Sequence, residues 1–586
     1  MTDHFEVTAH DGAARLGELR LTDPVVTPAL VDDVLVDAGS RWAAEPTPPA
    51  GAADRLTVLP HRGIPAGTDP AVEAAFGEAA AAVDFPAAAV GAPETAARVG
   101  AGGADAFLLS TAPGLVGHAA ALVEAVVTTR EALPPDVALG LSGVATPRNV
   151  ATLVYAGVDL LDAERAVVAG TRGRYLTRED DRALAHLDEL TCPCPACDRP
   201  LADVDNEACA DHNARALAAE LATVRERIRQ GRLRDYVEAQ ARHAPWLTGV
   251  LRRLDDRPGY LEPRTPVRRR ATIAATTDDA LRRVEIRRFA ERVTGRYVDR
   301  FDGPLVLVPC SARKPYGESR SHARFHRAID YRGHKVSMTS PIGVVPQELE
   351  LTYPAQHYDA TVTGRWSESE LAFVTDVLGA YLDRTDPGRV VAHVPGEGYR
   401  AVVERATADR DLDVTYTVAD HPTDDDSLAA LDAALADEPR YSRRERELNT
   451  VRAVADYQFG EGAGDVLFDE VTVRAPWPKH RVHDASGEQL AALVPEYGLL
   501  ALTLAGARRW VDADLPVRRV TIDGFVPQGS VLAPGVVDAT ADVRVGDEVV
   551  VEGPRAFAVG RAAMSGPEMA ASTRGVAVDV RHVEER

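Results

Sequence analysis

Lysine is almost absent. The 586-residue chain has 66 basic residues, and only Lys314, Lys335 and Lys479 are lysines. Cysteine is also scarce: there are five, four between Cys192 and Cys209 and one alone at Cys310. No apolar run approaches the roughly 18 residues of a membrane span, so no spanning helix is expected. The first residues lack a basic segment followed by an apolar one, so no secretory leader is expected either. These absences predict a cytoplasmic protein, in which clustered cysteines hold metal rather than disulfides. The formal net charge of −23 is the wrong sign for a phosphate-binding protein taken alone. The loss of lysine, with excess Asp and Glu and abundant Ala, Val and Thr, instead suggests a salt-rich cytoplasm where surface charge is screened. An acidic enzyme with a small-molecule substrate is the plainer alternative.

Against this background one stretch stands out. Leu305 to Val308 is an apolar run that reads as a buried strand, and it stops at Pro309-Cys310. A polar loop follows, then a helical pattern from about Ser319. Strand, loop and helix are where α/β domains open a crevice at the strand's carboxyl end. The isolated cysteine and one of three lysines lie four residues apart. A compact ammonium acts at close quarters and lowers the pKa of a neighbouring thiol, which arginine does less well. A buried, inert cysteine beside a solvated loop is the plain alternative.

At this length roughly three to five domains are expected. Residues 1–240 alternate Ala-rich helical stretches with short apolar strands such as Ala106–Leu109 and Val137–Leu141, the pattern of βα units closing a barrel. Gly157-Val-Asp-Leu-Leu-Asp162 ends a strand with two carboxylates. Cys192, Cys194, Cys197, Cys209 and His212 crowd five soft ligands at the spacing tetrahedral zinc uses. Residues 241–297 form a helical connector. From Arg225 to Arg288 the chain is dense in arginine, which fits either a solvated helix face or a phosphate track. Residues 298–440 read as an α/β core domain. There the segments at Lys335–Pro346, Glu348–Glu350, Tyr353-Pro354, His357–Asp359, Thr363–Trp366 and Pro395–Tyr399 suggest one crevice with Cys310. Residues 441–513 read as a small α+β domain and 514–586 as strand-rich.

Pro309-Cys310-Ser311, Lys314-Pro-Tyr316, Ser319, Ser321 and His322 match, at every fixed position, the PCSxxKPYxxSxSH signature of the archaeosine synthases, within the tRNA-guanine transglycosylase superfamily. The cysteine cluster resembles that superfamily's zinc site, with Cys192, Cys194, Cys197 and His212 as ligands and Cys209 as a possible substitute. Gly529–Val536, Ala558–Arg561 and Met564-Ser565 resemble a PUA domain, an RNA-binding module. Asp162 matches the transglycosylase nucleophile, but the superfamily's Asp-Ser-Gly-Gly-Phe-Gln segment is missing between about 40 and 100. That puts base exchange in doubt and leaves Asp162 as a substrate-binding group.

The resemblance implies a multidomain α/β architecture: a transglycosylase-like (β/α)8 barrel with structural zinc, a synthase core, a small α+β domain and a PUA domain. It implies an enzyme that adds a nitrogen donor, lysine or glutamine, to the nitrile of 7-cyano-7-deazaguanine at position 15 of tRNA. Cys310, Lys314 and His322 would be catalytic, and Ser311, Tyr316, Ser319 and Ser321 would hold substrate. A radical-SAM partner subunit is implied, and a homodimer is allowed. The alternatives are a transglycosylase that inserts the free base at position 15 and a non-catalytic tRNA-binding module.

Overall fold

The computed structural model describes residues 4–37, 51–61, 83–97, 102–110, 112–361, 365–396 and 398–586, together with 68, 69, 71, 72 and 75. The chain divides into two compact units. One comprises Met1–Pro266, Ser530–Val545 and Ala562–Asp579; the other comprises Val267–Gly529, Gly546–Arg561 and Val580–Arg586.

The first unit opens with a small antiparallel sheet of β1 (Phe5–Asp11), β2 (Ala14–Leu19) and β3 (Val25–Thr27). A parallel sheet follows: β4 (Ala29–Leu30), β5 (Leu35–Asp37), β6 (Leu56–Val58), β7 (Ala87–Gly91), β8 (Ala106–Leu109), β9 (Ala138–Leu141) and β10 (Leu160–Leu161). Its order is β4-β10-β9-β8-β7-β6-β5. Flat, this sheet would hold its outer strands about 29 Å apart, at about 4.8 Å per step. Yet β4 and β5 are joined by residues 31–34 alone, a reach of about 17 Å at most. Val34 N and Leu35 N both donate to Val31 O, which tightens that link into a turn. The sheet therefore curls into a barrel-like wall, as the βα alternation predicts. Its strands bury Leu56, Val58, Ala88, Ala106, Leu108, Ala138 and Leu160 in one core.

The second unit is built on a five-stranded sheet: β14 (Leu305–Pro309) at the centre, β15 (His334–Thr339), β16 (Gly343–Pro346), β18 (Arg389–Ala392) and β19 (Asp413–Tyr416), with β13 (Ile273–Ala275) and β17 (Tyr358–Ala360) paired separately and β11 (Arg174–Leu176) and β12 (Asp181–Ala183) belonging to the first unit. β14 runs parallel to both neighbours, β15 and β18. Successive residues of β14 face opposite ways. Val306 and Val308 pack with Phe325, Ile329 and Leu431, while Leu305 and Leu307 pack with Phe289, Val374 and Val402. Helices thus cover both faces, which is why the strand is continuously apolar rather than alternating. Beyond it, an antiparallel sheet spans Thr472–Leu502. Glu548–Gly553 pairs in parallel with Arg519–Ile522 and antiparallel with Ala556–Ala562, in keeping with the expected strand-rich C-terminus.

The arginine-dense segment is divided. Arg234 is buried and donates to Glu238, Asp255 and the Tyr155 hydroxyl. Arg225 donates to Pro28 O, and Arg283 and Arg288 are buried. Arg229, Arg252, Arg253, Arg270, Arg282 and Arg287 are exposed. No helix among the described residues is long and apolar enough to cross a membrane.

Candidate active site and metal centre

Cys310 sits where β14 ends, and its backbone N–H donates to Met338 O, 3.1 Å away. Beside it opens a cleft lined by Cys310, Ser311, Lys314, Thr339, Ser340, Tyr358, Asp359, Trp366, Glu370 and Tyr399 among others. Thr339, Ser340, Tyr358, Asp359, Trp366 and Tyr399 bring four of the segments grouped with Cys310 to the cleft, whereas Glu348–Glu350 and Tyr353-Pro354 do not line it. Thr363, Gly364 and Glu397 lie outside the described residues.

Three polar arrangements shape the cleft. The Cys310 thiol lies 3.2 Å from the Tyr399 hydroxyl. Tyr399 opens a helix, Tyr399–Thr407, behind Gly398, whose φ of +46° suits glycine. The Tyr358 hydroxyl lies 2.6 Å from both the Tyr316 hydroxyl and Thr339 Oγ1. Lys314 Nζ sits 3.9 Å from the centre of the Tyr358 ring. Burial lowers the Lys314 pKa, against the pull of Cys310 and Asp359. Burial, and then the neighbouring thiol, raises those of Tyr399 and Tyr358.

The other residues of the signature stand behind the cleft. Ser319 is the N-cap of the helix Arg320–Ile329 and accepts from His322 N at 3.2 Å, with Ser321 Oγ 3.2 Å from its own. Tyr316 is fully buried and reaches the cleft only through Tyr358. His322 is also fully buried and does not line the cleft. Its Nε2–H donates to Pro309 O at 3.0 Å, which leaves Nδ1 to accept from Lys335 Nζ at 3.2 Å. Lys335 Nζ also donates to His326 Nε2 at 3.2 Å and to Glu350 Oε1 at 2.6 Å. Three N–H donors thus meet three acceptors in a dry site. Burial, then Lys335, pushes His322 down to about 2 and His326 down to about 3, so both rings are neutral. The sequence placed Lys335 in a strand but gave no sign of this cluster. Its scarcity as a lysine was the available signal. Glu370 also escaped notice. Its carboxylate accepts from Ser340 Oγ and caps the helix Glu368–Thr385 through Ser367 N.

In the first unit, the two carboxylates of the 157–162 segment part company. Asp159 is buried and accepts from Arg15 Nε and Leu139 N. Asp162 follows β10 at its carboxyl end, where barrels place functional groups. There it accepts from Gly143 N through both oxygens at 3.0 Å and from Glu164 N at 3.3 Å.

Cys192, Cys194, Cys197 and His212 hold their ligand atoms within 4.8 Å of one another. His212 lies in the second turn of the helix Asn206–Arg229, which Asp205 caps by accepting from Ala208 N. His212 Nε2–H donates to Leu176 O at 3.0 Å, and the ring stacks on Tyr175 with centroids 3.8 Å apart. That fixes the tautomer and leaves Nδ1 facing Cys194 and Cys197 at 3.6 and 3.4 Å. Cys209 is not in the group: its thiol donates to Arg174 O at 3.3 Å. Three thiols and one imidazole thus form a group that could hold a metal ion.

Four family models match the chain: queuine tRNA-ribosyltransferase over 64–245, a domain of unknown function (DUF5591) over 286–435, the patch-forming domain C2 of tRNA-guanine transglycosylase over 449–516, and the PUA domain over 519–583. The archaeosine synthase of Haloferax volcanii is 58% identical over the full length of both chains. The archaeosine synthase subunit alpha of Methanosarcina acetivorans is 41% identical, again over all of both. The tRNA-guanine(15) transglycosylase of Methanothermobacter thermautotrophicus is 29% identical over 78% of this chain and 68% of its own, so the transglycosylase alternative fits less well. The signature at Cys310, the cleft that forms around it and the full-length likeness agree: this chain belongs to the archaeosine synthase family and acts on tRNA as a transferase in archaeosine biosynthesis.

Proposed function

We propose that the Cys310 cleft adds an amine to the nitrile of a 7-cyano-7-deazaguanine base already in tRNA, at position 15, giving an amidine. The observation that supports this best is an isolated thiol at a strand end, next to a phenol and a half-buried ammonium, in one cleft. A nitrile carbon is electrophilic but slow towards amines. Cys310 sulfur adds first, giving a thioimidate, and the amine then displaces the sulfur. Lys314 stabilises negative charge as it develops on sulfur or on the nitrile nitrogen. Ser311 lines the cleft and orients substrate. Tyr316, Ser319, Ser321 and His322 act by holding the loop and the Pro309 carbonyl in place. Asp162 braces the barrel loop at Gly143 and presents that end of the barrel to the RNA. Free lysine is the proposed donor, with glutamine the alternative, and a radical-SAM subunit would process the lysine adduct.

Zinc suits the thiol cluster. Cys192, Cys194, Cys197 and His212 would fill a tetrahedral shell with no open position, so its role is to hold the Cys-rich loop to the helix.

The purified protein, incubated at high salt with tRNA carrying the cyano base and with lysine or glutamine separately, is expected to yield a nucleoside heavier by one lysine, or by one ammonia where glutamine supplies its amide nitrogen and leaves as glutamate. Cys310→Ala is expected to yield none. Turnover by Cys310→Ala near the wild-type rate would refute the covalent route.

A further inference from the structure

Addition to a nitrile moves a proton at every step, and the imidazole in the signature is not placed to carry it. Both ring nitrogens of His322 are engaged, one with Pro309 O and one with Lys335 Nζ, and the side chain does not line the cleft. The polar hydrogen beside Cys310 belongs to Tyr399, whose hydroxyl lies 3.2 Å from the sulfur and lines the same cleft. The ring is held by Trp366, with centroids 4.6 Å apart.

We infer that Tyr399 is a catalytic residue of this cleft, relaying the proton between Cys310 sulfur and the nitrile nitrogen. The inference rests on the nitrile reading above. A phenol accepts and donates at one oxygen, so it can take the S–H proton while giving up its own. In the first step the S–C bond forms, the C≡N triple bond becomes C=N, and one proton passes from sulfur through Tyr399 to nitrogen. In the second step the amine's N–C bond forms and the C–S bond breaks, and the proton lost by the amine returns through Tyr399 to sulfur. The phenol ends each step unchanged, and no external acid or oxidant is needed. Without a relay, the charge on the nitrile nitrogen would be offset by Lys314 alone and would end the step unprotonated, which is costly in a partly buried cleft. Burial and the adjacent sulfur hold the phenol protonated, so it works as a relay rather than as a phenolate base.

The test uses the full chain, tRNA carrying the cyano base, and the variants Tyr399→Phe and Cys310→Ala. Formation of the covalent protein–tRNA species is followed without amine on denaturing gels, alongside kcat and KM for tRNA with amine. Tyr399→Phe is expected to slow adduct formation about 10²- to 10⁴-fold while KM for tRNA stays within about twofold. Replacing Tyr399 with 3-fluorotyrosine keeps its shape and hydroxyl, and is expected to hold adduct formation within about tenfold of wild type. A Phe variant that forms adduct at the wild-type rate, or a fluorotyrosine protein as slow as the Phe variant, overturns the role of Tyr399 and leaves Cys310 standing if Cys310→Ala is inert. Turnover by Cys310→Ala overturns both.

Discussion

Removing the ammonium of Lys335 should cost more than any exposed charge in the chain. The Lys335 and Glu350 side chains are 1% and 4% exposed, with Nζ 2.6 Å from Oε1. Salt screens so buried a pair little. In Lys335→Met, Glu350 keeps only the Gly317 N–H, 2.8 Å from Oε2, and His322 Nδ1 and His326 Nε2 lose their donor. Stripping one partner from a buried pair typically costs about 3–5 kcal/mol, because a charge is left without compensation. The expected loss for Lys335→Met is in that range, since one of the two histidines can take up a proton and recover part of the deficit. Lys335→Met with Glu350→Leu removes both charges and should recover part of the loss. What remains is the orphaned Gly317 N–H and the two histidine nitrogens left without a donor, at about 1–3 kcal/mol. Lys335→Arg should also destabilise, because a planar fork cannot aim three donors from one nitrogen. Urea unfolding of the full chain, with hydrogen exchange of peptides covering 305–335 to localise the effect, measures this. A Lys335→Met protein within about 1 kcal/mol of wild type would refute the reasoning. So would a double variant no more stable than the single.

Two further predictions concern metal and acid. Wild-type protein and the Cys209→Ala and Cys310→Ala variants should each carry one zinc per chain by elemental analysis, whereas Cys197→Ala should carry almost none. Loss of metal in Cys209→Ala would reassign the ligands. For His322 and His326, folded-state values of about 2 and about 3 lie below the ordinary 6.5. The unfolded chain therefore binds protons that the native state does not. Their stability contribution is complete above pH 6.5 and is lost as pH falls towards 3, at up to about 1.4 kcal/mol per pH unit for each. His334 behaves oppositely: although burial lowers it, Asp299 and Glu348 win and raise it to about 10, so its contribution is complete below pH 6.5 and is lost as pH rises towards 10. A stability maximum near pH 6.5 is expected from these groups. His326→Gln should roughly halve the histidine part of the acid slope, and an unchanged slope between pH 4.5 and 6.5 would count against the neutral-histidine cluster.

Much of the protein was determined by the sequence alone. The βα alternation dictated parallel strands, and Leu305–Val308, apolar without a break, dictated a strand covered on both faces. The cysteine spacing placed five candidate ligands in one short stretch, and the resemblance picked out Cys192, Cys194, Cys197 and His212, the four that come together. The rarity of lysine drew the eye to the Cys310 loop, and the fixed signature residues identified the family. What a local pattern could not decide was direction. His322 follows the loop in sequence, yet the helix started by Ser319 turns its ring inward to Pro309 and Lys335. The Pro395–Tyr399 turn was legible as part of the Cys310 crevice, but the parallel strand order alone decides that the Tyr399 hydroxyl meets the thiol 89 residues away. Cys209 sits three residues before His212, but its helix aims the thiol at Arg174 O. Lys335 lies inside a buried strand, and only packing shows that two histidines and a carboxylate from other elements close around it. Periodicity and composition fix which groups are present and which elements carry them. Which groups face one another depends on contacts between distant segments, and those exist only once the sheets have formed.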